Sequence, residues 1–249
     1  MNSTLLIILI FVLGLVFGSF LTVLIPRIHD EESGILIGRS HCPWCKKTLR
    51  ARDLIPIISY IINRAKCRFC KEKIGIIYPA IELSTAIIFT LTYLTFPSPQ
   101  FLFYLVISFA LIFTFFYDLK YLEISDIILI PSIILALILG PEDWKSKFIG
   151  IAIGAGFFLI QIIISKGKWV GMGDIRIGTL MGALLGWQMT IAALVISYVI
   201  GSIISIGLLA SKKKHLNQQI ALGPFLVTGT FITIFMGEKI VNWYLNLLI

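Results

Sequence analysis

The sequence predicts an all-α polytopic membrane protein of about eight transmembrane helices, with a small four-cysteine insert between the first and second spans. Three observations lead there. The chain is 58% hydrophobic and only 14% charged, its mean hydropathy is +0.96, and its charges gather in a few blocks between long uncharged runs. All four cysteines and about half of the basic residues fall within one stretch, 27–78. Two aspartates, Asp118 and Asp174, stand instead at the ends of apolar runs, where a charge is costly unless it has a task.

A hydrocarbon layer about 30 Å thick needs roughly 20 largely apolar residues per helix, and the runs are read on that scale. Residues 1–26 form the first span, uncharged until Arg27 and without the small-residue cleavage site of a removable signal. Within it Gly14 and Gly18 lie four apart and permit close approach of another helix. Residues 27–78 form a water-facing insert with eleven Lys or Arg against five Asp or Glu. Residues 79–249 form the membrane core. Its first helix, 74–96, carries one acid, Glu82, which is either solvated, paired with an arginine of the insert or functional. Pro97-Ser98-Pro99 is an external turn, and 101–117 leads to Asp118.

Asp126 is expected to cap the next helix, 127–139, since an acid is favoured at a helix N-terminus. That helix breaks near Gly140-Pro141, and 148–165 is the fifth span. Residues 177–210 are uncharged and would make about 51 Å of helix, too long for one crossing. A break is therefore expected near Trp187-Gln188, with Gly178, Gly182 and Gly186 forming a small-residue ridge before it. Lys212 to His215 end the seventh span, and the eighth, 220–237, is entered through Gly223-Pro224. Trp243 and Tyr244 suit the membrane interface. With the N-terminus outside and the insert in the cytoplasm, 18 of the 21 basic residues lie inside, leaving only Lys145, Lys147 and Lys239 outside; this satisfies the positive-inside bias. The net charge of +8 thus describes topology and does not call for nucleic acid.

Cys42-Pro43-Trp44-Cys45 and Cys67-Arg68-Phe69-Cys70 are two C-x2-C pairs separated by 21 residues, just beyond the usual 15 to 20 of a zinc ribbon. Four thiolates close a tetrahedral zinc shell without an open position, so the expected role is structural. A small insert poor in apolar residues needs such a staple. Disulfides or free thiols are the alternative, disfavoured by the cytoplasmic composition.

Asp118 and Asp174 fall at similar depth on this topology, both at cytoplasmic ends of spans. Two close carboxylates in a poorly solvated place share a proton, and such a pair can activate water while protonating a peptide carbonyl. Gly171 and Gly173, in Gly171-Met172-Gly173-Asp174, are expected to permit unusual dihedrals and close approach of a substrate strand. His29, His41 and His215 lie in polar loops with no membrane serine to match, so no Ser-His-acid constellation competes.

These residues resemble the type IV prepilin peptidases, bifunctional membrane aspartic proteases with a Gly-x-Gly-Asp motif. The resemblance runs through Gly18-Ser19-Phe20-Leu21 with Arg27, the segment from Arg39 to Cys45, Asp53 to Pro56 with Ser59-Tyr60, Cys67 to Cys70 and Tyr78 to Glu82. It continues through Asp118 with Asp126, Gly171 to Asp174, and Gly223-Pro224-Phe225. It implies that Asp118 and Asp174 are catalytic, that the enzyme sits in the cytoplasmic (inner) membrane, and that prepilin or pseudopilin precursors lose a short basic leader. It further implies N-methylation of the new N-terminus with S-adenosylmethionine. The chain departs from the family in having Thr22 for Asn, Ala65 for Gly, Ser125 for Pro and Arg176 for Lys. No glycine-rich nucleotide fingerprint follows a strand; Glu82, Arg68 and Tyr78, which flank the insert near the membrane, are the candidates for binding the methyl donor. The competing readings are a peptidase without methylation, a proton-coupled transporter using the same acids, and an assembly factor whose insert docks a partner.

Overall fold

The computed structural model describes residues 3–31, 38–96, 98–211 and 219–248. Pro97 and the basic cluster Lys212 to His215 lie outside the described residues. The described residues are helical: α1 Ser3–His29, α2 Ile58–Ile62, α3 Ile77–Thr95, α4 Gln100–Tyr121, α5 Asp126–Leu139, α6 Trp144–Ser165, α7 Met172–Ala210 and α8 Gly223–Leu248, with a 3-10 turn at Ala51–Asp53. Among the described residues β-structure is limited to two isolated bridges, His41 with Thr48 and Lys66 with Lys73. The chain divides into two compact units, Met1–Phe113 and Thr114–Ile249.

In the first unit α1 and α3 pack backbone to backbone. A Cβ on Gly14 would lie 2.5 Å from Ala86 Cα, and one on Gly18 would lie 2.6 Å from Glu82 Cα, so only glycine permits this approach. Phe17 packs against Phe89 of α3 and edge-on against Phe109 of α4. The Thr92 and Ser108 hydroxyls meet at 3.3 Å between α3 and α4.

In the second unit the small-residue ridge meets a matching one on α6. A Cβ on Gly178 would lie 2.5 Å from Gly154 O, and one on Gly150 would lie 2.7 Å from Gly182 O. The Asp143 carboxylate caps α6 by accepting the Ser146 N–H at 3.0 Å. Ser125, rather than Asp126, occupies the cap position of α5, and no side chain closes that cap. Asp126 is the first helical residue and turns its carboxylate elsewhere.

The 39-residue α7 is two crossings. Gly186 sits at φ +68°, ψ −179°, a conformation open essentially to glycine alone. Thr190 Oγ1 donates to Gly186 O at 2.6 Å and reaches Met181 O at 3.3 Å. Nine residues apart in a straight helix, Thr190 and Met181 would be about 13 Å apart, so the chain doubles back. The limbs are 172–185 and 187–210, and the break falls one residue before Trp187. Among the described residues six helices are long and apolar enough to cross a membrane, with α5 a shorter apolar one. Counting α5 and both limbs of α7 gives the eight segments the sequence predicts.

Lys147 is 2% exposed. Its Nζ donates to Leu137 O at 2.8 Å and Gly140 O at 3.0 Å, so a cation closes the C-terminal end of α5, where the helix dipole favours it.

Candidate active site and metal centre

Asp118 lies in the last turn of α4 and Asp174 in the first turn of α7. They are 6% and 7% exposed. Each is pinned by one backbone donor. The Gly171 N–H donates to Asp174 Oδ2 at 2.9 Å, making Asp174 the carboxylate that satisfies the first orphan donor of its own helix. The Gly223 N–H, at the start of α8, donates to Asp118 Oδ2 at 2.8 Å. Both carboxylates therefore meet an N–H at a helix start, Asp174 at that of α7 and Asp118 at that of α8. Among the described residues neither Oδ1 has a hydrogen-bonded protein partner, which leaves one oxygen of each aspartate for water or substrate.

Neither Gly171 nor Gly173 takes an unusual dihedral. Gly171 is extended, at φ −86°, ψ 161°, a conformation any residue adopts, and a Cβ there would find its nearest neighbour, Asp174 Oδ2, at 3.7 Å. Gly173 is helical and packs on the chain itself: a Cβ would lie 2.9 Å from Ile124. The close approach at Gly173 is thus to the link between α4 and α5. Arg176 Nη1 reaches Asp126 Oδ1 at 2.7 Å, an ion pair that lacks hydrogen-bond alignment, and it joins the N-termini of α7 and α5.

Gly223 is the site residue that reasoning from sequence missed. A Cβ on it would lie 2.6 Å from Asp118 Oδ2, so the carboxylate can sit over this N–H only because glycine is there. The available signal was Gly223-Pro224, a helix start with proline in its first turn.

The four cysteines form the second cluster. Their sulfurs all lie within 4.8 Å of one another, with Cys42 Sγ and Cys70 Sγ 3.9 Å apart; tetrahedral zinc with its usual Zn–S bonds places sulfurs about 3.8 Å apart. The two C-x2-C turns are copies of one knuckle. Cys42 N–H donates to Lys47 O and Lys46 N–H to Cys42 O; in the second copy Cys67 N–H donates to Glu72 O and Lys71 N–H to Cys67 O. Lys46 and Lys71 both take positive φ, 56° and 64°. Burial pushes the Cys67 thiol up, but the N–H groups of Cys70 and Phe69 and the neighbouring Cys42 and Cys70 thiols outweigh it and bring it down to about 7. At Cys70 the Glu72 N–H pulls downward, yet burial and the other three sulfurs hold the thiol up at about 11. Sulfurs this close cannot all ionise without a cation between them, and a metal ion fits the donor set.

The residues suggested for the methyl donor are not joined to each other by any hydrogen bond or ion pair among the described residues. Glu82 is 8% exposed and accepts the Ile57 N–H at 2.7 Å. Arg68 lies 3.8 Å from Asp53. Tyr78 stands in the first turn of α3.

Two family models cover most of the chain: the bacterial peptidase A24 N-terminal domain matches residues 12–96, and the type IV leader peptidase family matches 105–206. The chain belongs to the type IV leader peptidase family. A prepilin leader peptidase/N-methyltransferase of Bacillus subtilis (strain 168) is 31% identical over 244 residues, covering 96% of this chain and 98% of that protein. Proteins of the same description from Aeromonas salmonicida (strain A449) and Pseudomonas putida are 27% and 25% identical, covering 96% and 92% of this chain and 93% and 90% of their own lengths. No solved structure matches. The first family model contains all four cysteines and Glu82, and the second contains Asp118, Asp174 and Arg176. Membership makes this chain a multi-pass membrane enzyme; Gly223 lies beyond the matched residues.

Proposed function

We propose that this chain removes the short basic leader from type IV prepilin-like or pseudopilin precursors at the cytoplasmic face of the inner membrane and then N-methylates the new N-terminus, with S-adenosylmethionine as the methyl donor. The observation that carries the proteolytic half is the Asp118–Asp174 pair, two buried carboxylates, each held through Oδ2 by a helix-start N–H. One carboxylate takes a proton from water as it attacks the scissile carbonyl, and the other gives a proton to the carbonyl oxygen. Gly171 and Gly223 fix the orientation of the acids, and Gly173 seats the start of α7 against Ile124.

Residues 27–78 form the cytoplasmic insert between the first span, 1–26, and the protease core, 79–249. Cys42, Cys45, Cys67 and Cys70 hold one zinc ion, which supplies folding stability and no reaction step. Methyl transfer needs a free amine in line with the donor methyl, and that amine exists only after cleavage, so cleavage comes first. Glu82, Arg68 and Tyr78 remain the candidates near the donor. Incubating the purified protein with a synthetic precursor and S-adenosylmethionine, then weighing the products, tests this reading. The expected product is a shortened chain carrying one methyl group; an uncleaved precursor overturns the reading, and a cleaved but unmethylated chain removes its second half.

A further inference from the structure

Between the two cysteine knuckles runs an uncharged segment, 54–63, bounded by Arg52-Asp53 on one side and Arg64 on the other. The structure ties this segment to the flanks of two membrane helices. The Ser19 hydroxyl of α1 donates to Leu54 O at 3.5 Å, and Glu82 Oε2 of α3 accepts the Ile57 N–H at 2.7 Å. Ser19 lies eight residues before Arg27, about 12 Å along α1, and Glu82 lies five residues into α3, about 7–8 Å. The loop that carries α2 therefore lies below the level at which both helices leave the membrane.

Its side chains agree. Ile58, Ile61 and Ile62, at i, i+3 and i+4 on one face of α2, are 54%, 66% and 73% exposed, and Ile55 beside them is 44% exposed. Four exposed isoleucines would be a liability in water. Ile57 takes φ +60°, a strained conformation for a β-branched residue, and the donor that it presents is met by a buried carboxylate. Irregular backbone at membrane depth persists only where its polar groups find protein partners, and Glu82 supplies one.

We propose that residues 54–63 form a re-entrant segment bedded in the cytoplasmic leaflet, with the isoleucine face of α2 against acyl chains and the two basic knuckles above it at headgroup level. An uncharged run of about ten residues is the length expected of an interfacial segment rather than a span. Arg52, Arg64 and Lys66 at its borders complement anionic headgroups. Glu82 then also positions this segment, through the one oxygen, Oε2, that accepts the Ile57 N–H.

The test is photolabelling of the full-length, metal-loaded protein in vesicles containing phosphatidylglycerol and a phospholipid with a diazirine near the acyl-chain end, with adducts mapped by mass spectrometry alongside deuterium exchange. The expected result is adducts on 55–62 at yields comparable with the exposed residues Ile8 and Val12 of α1, none on the knuckles 41–48 and 66–73, and slow exchange of the 54–62 amides. In Glu82→Ala exchange at Ile57 accelerates, and in Glu82→Gln, which keeps an acceptor, it does not. Fast exchange without adducts shows a segment in water and overturns the proposal. Slow exchange without adducts shows a protein surface covering the isoleucines and overturns it as well.

Discussion

At Asp118 and Asp174 one oxygen is spent on a backbone donor and the other is left for chemistry, so removing either carboxylate should stop proteolysis without disturbing the fold. Asp118→Asn and Asp174→Asn are each expected to lower prepilin cleavage by at least about a hundredfold, the low end for a general acid or base, with unchanged membrane insertion; the purified variants and a fluorogenic precursor measure it. The glycines separate more finely. Gly223→Ala places a Cβ 2.6 Å from Asp118 Oδ2 and should lose most activity, whereas Gly171→Ala meets nothing closer than 3.7 Å and should keep most of it. Equal losses at both positions would mean that substrate, not the carboxylate, needs the space. The aspartates were legible in the sequence because a charge in an apolar run is conspicuous. The role of Gly223 was not, because a backbone N–H leaves no mark in the sequence and its partner is 105 positions away.

Among the elements, the α7 hairpin was legible from length alone, since an uncharged run of about 51 Å cannot cross once. Its position at Gly186 follows from a dihedral that no pattern of hydrophobicity reports. A Cβ at Gly186 meets Ser146 and Glu142 besides adopting a glycine-only conformation, so Gly186→Val should destabilise the α6–α7 unit by about 2–3 kcal/mol, read from thermal unfolding in detergent. The cap of α5 was misread for a comparable reason: Asp126 is a good N-terminal acid by type, but an arginine 50 positions later claims its carboxylate. The knuckle repeat offers an opposite test. Ala65 takes φ +56°, where the family usually has glycine. Ala65→Gly is expected to stabilise the insert by about 0.5–1 kcal/mol, seen as a higher temperature for zinc release; no change would place the strain elsewhere.

For the molecule as a whole, metal and pH are linked. Zinc binds thiolates, so binding at the cluster displaces whatever protons the sulfurs carry. With Cys67 at about 7, that sulfur is already ionised above neutrality and must lose a proton below it. Zinc affinity should therefore fall as pH drops from 8 to 6, with Cys67 adding its own proton to the dependence only below about 7, as competition with a chromogenic chelator would record. Stripping the metal at neutral pH should unfold 39–75 and reduce methylation before it reduces cleavage. Parallel loss of both at every chelator concentration would count against separate homes for the two activities.

The membrane helices of the second unit are unequal in length, and this has a consequence for the lipid around them. The 14 residues of α5 reach only about 21 Å, against roughly 30 Å of hydrocarbon, and Ile127, Ile130, Ile134 and Ile138 along it are exposed. The bilayer beside α5 thins or dimples, at a cost of fractions of a kcal/mol per ångström of mismatch. That depression brings bulk water close to the ends of α4 and α7, where Asp118 and Asp174 lie. Proteolysis should accordingly run faster in vesicles of short-chain phospholipid than in long-chain ones of the same headgroup, and in thick bilayers turnover should fall while precursor binding holds.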